Sequence, residues 1–210
     1  MDAAEIEALF RRGSGEFAFA RWGRPIAPVV FGVEDATLGT IKGAIEALCQ
    51  LAGHQMAETD PELGSNFMWF FARDWNDLAG VPGLDRLVPD LGPLLERLKD
   101  ADANQYRIFR FDASGAIMAC FVFLRMDTHL SAVPAQTLAL SQAVQSMLLW
   151  SDLAFREASP LAVAGETTVL RPDIAAVIRA AYDPVLPAAA QDASFALRLA
   201  ARMDQARARS

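Results

Sequence analysis

A chain of 210 residues with 53% hydrophobic and 21% charged residues has a globular balance and excludes a disordered chain, which would be poorer in apolar residues and richer in charge. The formal net charge of −7, with no Lys/Arg-rich run to offset it, excludes nucleic acid as a partner, because its phosphates would be repelled. The apolar stretches are too short or too charged to span a bilayer, so no membrane partner is expected.

The opening Met1-Asp-Ala-Ala-Glu-Ile-Glu7 lacks the basic start and apolar segment of a secretory signal. A cytoplasmic location is therefore expected, or a periplasmic one if the true start lies upstream. Residues 2–11 read as a short amphipathic helix, with Asp2 as N-cap and Ile6, Leu9 and Phe10 on one side. Gly13-Ser-Gly15 ends it. The expected organisation is a helix and linker over 1–15, then a single domain over 16–210 large enough to bury its own core.

From Phe17 to Val33 the chain reads as extended, and Pro25 and Pro28 point to an edge strand or a strand start, since proline cannot donate to a ladder. From Asp35 the period changes. Leu38, Ile41, Ile45, Leu48 and Cys49 recur at helical spacing and Gly53 follows as a C-cap. Residues 66–71 form an aromatic strand, and 74–103 hold short helical pieces, the clearest from Pro93 to Lys99. Tyr106 to Phe111 and Ala116 to Met126 are strands joined by the turn Asp112-Ala-Ser-Gly115. The second strand is apolar on both faces and should be central. Pro134 opens a helix with a broad apolar stripe running to Trp150. Two further helices follow, Pro172 to Tyr182 and Ser194 to about Arg207.

Cys49 lies on an apolar helical face and Cys120 inside the run Met118-Ala-Cys-Phe-Val-Phe-Leu124. Both read as small buried hydrophobes in a reducing compartment. Arg198, Arg202, Arg207 and Arg209 read as cations at a helix C-terminus, where the last carbonyls are partially negative.

Five segments taken together resemble a known family. They are Arg21-Trp22 with Arg24-Pro25, then Leu51-Ala-Gly-His54, Asn66-Phe67, Trp150-Ser-Asp152 and Tyr182-Asp-Pro-Val-Leu186. Their order is similar to the uncharacterised bacterial domain-of-unknown-function family 2927, common in alphaproteobacteria, whose members look like zincin-type metalloproteases. The resemblance covers roughly residues 20–190. It implies a zincin-like α+β fold: a mixed or antiparallel sheet of about four to five strands packed by several helices. In that family the helix before the Ser-Asp element carries a His-Glu pair. A metal-protease helix needs His at i and i+4 to hold zinc, with Glu at i+1 as base. Counting back from Asp152 puts Leu140 in the His position, Ser141 in the Glu position and Val144 at i+4, while Gln145 matches the family's Gln. A one-residue slip brings Ser141 and Gln142 there instead. Neither register supplies imidazole or carboxylate, so the expectation is no metal, no cofactor and no catalytic residue, with Leu140, Ser141, Val144, Gln145 and Asp152 as the remnant cleft.

Other constellations carry less. Cys49, His54, Cys120 and His129 have no zinc-type spacing, and His54 alone reads as a helix C-terminal cation. A covalent hydrolase needs a nucleophile, a base and an orienter, and no Gly-x-Ser-x-Gly elbow is present. Gly13-Ser-Gly15 is too short for a phosphate loop. Asp60 and Glu62 around Pro61, and Asp74 and Asp77 near Trp75, read as caps or solvated loops, with acid/base work in a cleft beside Arg73 as the alternative. Phe67, Trp69, Phe70 and Phe71 read as core.

The expected function is a non-catalytic relative of the zincin-like family, a binding or structural protein with an unidentified protein or peptide partner. The alternative is a hydrolase with a relocated, carboxylate-based site at Asp60 or Asp74. A third class is a homo-oligomer held by exposed aromatics such as Trp22, Trp75 or Phe155.

Overall fold

Residues 1–208 are described by a computed structural model. The helix α1 (Ala3–Ala8) is capped by Asp2, whose carboxylate accepts from the Glu5 N–H at 2.8 Å while Glu5 accepts from the Asp2 N–H. Two orphaned donors are thereby satisfied together. Strands β1 (Phe19–Ala20) and β2 (Pro28–Phe31) follow. Ile41, Ile45, Leu48 and Cys49 bury one side of α2 (Asp35–Ala52), which stops at Gly53 with φ 63°, a conformation that strains residues bearing a Cβ.

After β3 (Phe67–Ala72) come three short helices, α3 (Trp75–Ala79), α4 (Leu84–Leu87) and α5 (Leu91–Asp100). The strands β4 (Gln105–Phe111) and β5 (Ile117–Arg125) form the expected hairpin, and the one-turn α6 (Thr128–Ser131) leads to α7 (Ala135–Met147). The chain continues through β6 (Leu161–Ala164), β7 (Thr167–Leu170), α8 (Pro172–Ala181), β8 (Ala189–Ala190) and α9 (Phe195–Arg207).

The fold is α+β around a mixed four-stranded sheet of order β2-β3-β5-β4, in which β2, β3 and β5 are parallel and β4 runs antiparallel to β5. Alternation along the strands divides the core. Phe67, Trp69, Cys120, Val122 and Leu124 join the cluster of α2, α7, α8 and α9, whereas Met68, Phe70, Phe121 and Phe123 pack with α3, α4 and α5. Strand β5 is covered on both faces, which is why it is apolar without alternation. Pro28 begins β2, an edge strand as expected.

Two local expectations change. The α7 helix ends at Met147 and not at Trp150, because Leu148 is extended (φ −134°, ψ 159°) and forms a bridge with Arg21. Leu148 and Trp150 are nevertheless buried, and a short apolar run does not tell a helix from an extended segment. The β6–β7 hairpin was not among the expected elements. Its four-residue strands flank a turn at Gly165, with φ 63°, too short a run for a clear period of two.

Residues 1–15, expected as a helix and linker ahead of the domain, contribute Ile6, Leu9 and Phe10 to the main core cluster. Among the described residues no helix is long and apolar enough to cross a membrane.

Candidate functional site

Among the described residues the strand β4 has one neighbour, β5, so its outer edge is free. The phase of that edge follows from Cys120, which pairs with Phe109 in register but donates its backbone N–H to the Asn66 carbonyl at 2.8 Å, on the β3 side. The Phe109–Cys120 pair is therefore a non-hydrogen-bonded one. By alternation Gln105, Arg107 and Phe109 turn their N–H and C=O groups away from β5. A groove of about 900 Å³ runs along this edge, with Gln145, Leu149, Trp150, Asp152 and Phe155 across from it. A further cavity of about 340 Å³ shares Gln105 and Gln145 with the groove and continues between α7 and the β6–β7 hairpin.

The structure places the five remnant-cleft residues unevenly. Ser141 and Gln145 line the cavities, and the Gln145 amide donates to the Ser141 hydroxyl at 3.0 Å. Asp152 stands on the groove wall. The N–H of Gly13 donates to its carboxylate at 2.9 Å and, helped by Arg156, holds it below the usual carboxylate range. Leu140 instead packs against the core, and Val144 is fully buried, with its carbonyl accepting from the Trp150 indole at 2.9 Å. The helix face that lines the adjoining cavity is thus Ser141, Gln142 and Gln145, the slipped register, and Gln145 alone of these three also lines the groove. Hydroxyl and amide groups stand there, which hydrogen-bond well and ligate zinc poorly. Among the described residues no three His, Cys, Asp or Glu side chains cluster as a metal site would require.

Sequence reasoning missed Arg107. Its side chain lies on the α7 side of β4, where Nη2 donates to the Oε1 of the buried Gln142, and the Gln142 amide donates in turn to Gln105 at 2.9 Å. The Nε of Arg107 is sequestered from solvent with no hydrogen-bond partner. Burial lowers the guanidinium to about 10, so it stays charged at neutral pH. Cys120 lies nearby on the same face, but burial pushes its thiol up to about 12, which leaves it neutral and no counter-ion. The sequence did carry a signal: Arg107 shares its strand face with Phe109, at the two-residue period.

The segments that carry the family resemblance meet around the end of α7. Trp22 donates its indole N–H to the Ser146 carbonyl at 2.9 Å, and Tyr182 donates its hydroxyl to the Met147 carbonyl at 2.8 Å. The guanidinium of Arg21 lies over the Tyr182 ring at 5.6 Å and donates to the Leu186 carbonyl, while the His54 ring packs on Tyr182 at 5.1 Å. Asn66 holds both sides of the Pro25–Ala27 segment.

The remaining candidates are structural. His54 is not a helix-end cation: burial lowers its pKa, against the Arg24 carbonyl that its Nε2 meets at 2.9 Å. Cys49 and Cys120 are free and buried. Asp60 and Glu62 pair with Arg24 at 3.4 and 3.2 Å, and Asp74 with Asp77 forms the capping box of α3. None of these carboxylates, nor Arg73, lines the groove beside Gln145. Trp22 and Trp75 are 0% and 1% exposed, because each indole N–H is engaged inside the fold. They are no surface for self-association. Phe155 is half-buried, edge-on to Trp150. Of the C-terminal arginines, Arg202 pairs with Asp183 and Arg207 with Asp204, while Arg209 lies outside the described residues.

Compared with family models, curated proteins and solved structures, the chain matches none.

Proposed function

We propose that this chain is a non-catalytic relative of the zincin-like family it resembles, and that it binds an extended segment of a partner protein or peptide in the groove beside β4. The observation that carries this reading is the free edge of β4 inside a groove of about 900 Å³. An uncovered strand edge presents a row of unpaired N–H and C=O groups, which is a template for an added strand. Across from it Gln145, and in the adjoining cavity Ser141, offer hydrogen bonds to a bound chain, where a zinc hydrolase would need imidazole and carboxylate. The hydrolase alternative gains no support, since Asp60 and Asp74 are engaged in an ion pair and a cap away from the groove.

The test is selection of displayed random heptapeptides on purified untagged protein and on a Phe109→Pro variant. Proline at that position removes one outward N–H and no ladder bond to β5. Peptides enriched on the wild type should lose binding to the variant while its circular dichroism is unchanged. Equal binding by both proteins rejects strand addition. Stoichiometric zinc that is lost on mutating His54 or His129 would reject the non-catalytic half of the reading.

A further inference from the structure

We infer that Arg107 is the receptor for the carboxylate of an aspartate or glutamate side chain in the segment bound along β4. The inference rests on the groove-binding reading above and adds the chemistry of the ligand. Arg107 carries a full positive charge on the α7 side of the edge strand, and among the described residues no carboxylate lies within ion-pairing distance of it. Among the described residues its side-chain partner is the neutral Gln142, and Nε is sequestered without a partner of its own. A half-buried guanidinium that lines the groove without a counter-ion favours an arriving anion, and a planar donor set suits a carboxylate best.

The surroundings have the matching sign. Arg12, Arg107 and Arg156 line the groove against Asp152 alone, in a chain whose formal charge is −7. The position also selects the source of the carboxylate. Arg107 is the middle of the three outward-facing residues Gln105, Arg107 and Phe109. A strand paired across all three places an internal residue opposite Arg107, with its side chain on the same face, as cross-strand partners are. A terminal carboxylate in that place would leave one flank of the edge unpaired.

The experiment is isothermal titration calorimetry with two acetylated, amidated heptapeptides, Ser-Thr-Val-Glu-Val-Thr-Ser and its central Glu→Gln counterpart. The Glu peptide should bind about tenfold more tightly. The difference should vanish with Arg107→Gln and persist in part with Arg107→Lys. Equal affinities for wild type overturn the inference and leave groove binding intact, whereas no binding of either peptide overturns both. The Glu/Gln comparison on the wild type decides the matter even if the Arg107→Gln variant does not fold. A Gln peptide with a free C-terminus should gain nothing over its amidated form. A gain equal to that of the Glu peptide would overturn the choice of a side-chain carboxylate.

Discussion

The hydroxyl of Tyr182 donates to the carbonyl of Met147 at 2.8 Å, fastening the end of α8 to the last turn of α7. Helix α7 has no αL cap, and the chain leaves it in an extended conformation at Leu148. Its last carbonyls need partners from elsewhere in the fold, and Tyr182 and Trp22 supply two of them. The wall of the groove is thus built from residues distant in sequence.

Replacing Tyr182 by Phe should cost about 1–3 kcal/mol, the penalty for leaving a buried carbonyl unsatisfied. Urea unfolding followed by tryptophan fluorescence measures it. An unchanged midpoint would mean that water or another donor already serves Met147.

Phe10 is 0% exposed and stacks on Trp150 with centroids 5.3 Å apart. Phe10→Ala should therefore destabilise the whole fold by about 3–5 kcal/mol, the range for a deeply buried aromatic. A single cooperative transition at lower denaturant is the expected result. Full wild-type stability would show α1 to be an accessory to the domain.

His54 gives stability a pH dependence of known sign. Burial lowers its folded-state pKa below the ordinary 6.5, outweighing the hydrogen bond to Arg24 O, and Arg21 adds repulsion. The unfolded chain then takes up a proton before the native state does. This part of the stability is present above pH 6.5 and declines as pH falls through 6.5, levelling off below the folded pKa. Thermal melts from pH 7.5 down to about pH 5 should show a shallower decline for His54→Gln than for wild type. Parallel curves for the two proteins would refute it.

Much of the fold was legible because its signals are local. Gly53 stops α2 through its own backbone freedom, Asp112 to Gly115 turn the β4–β5 hairpin, and the apolar period of α8 is visible in its residues. The candidate site was half legible. Gln145 and Asp152 do line the groove and Ser141 the cavity that adjoins it, whereas Leu140 and Val144 turn inward, since shifting a helical register by one residue rotates a side chain by about 100°.

By itself, the sequence determined which residues share a face, where helices stop and that β5 lies between two layers, since periodicity and turn chemistry act over a few bonds. Only the tertiary structure decided which strand edge stays open, which face of α7 lies beside it and that, among the described residues, Arg107 stands there without a counter-ion. Those outcomes depend on how elements far apart in the chain pack against one another, and the charge of a residue does not reveal which neighbours the fold will bring to it.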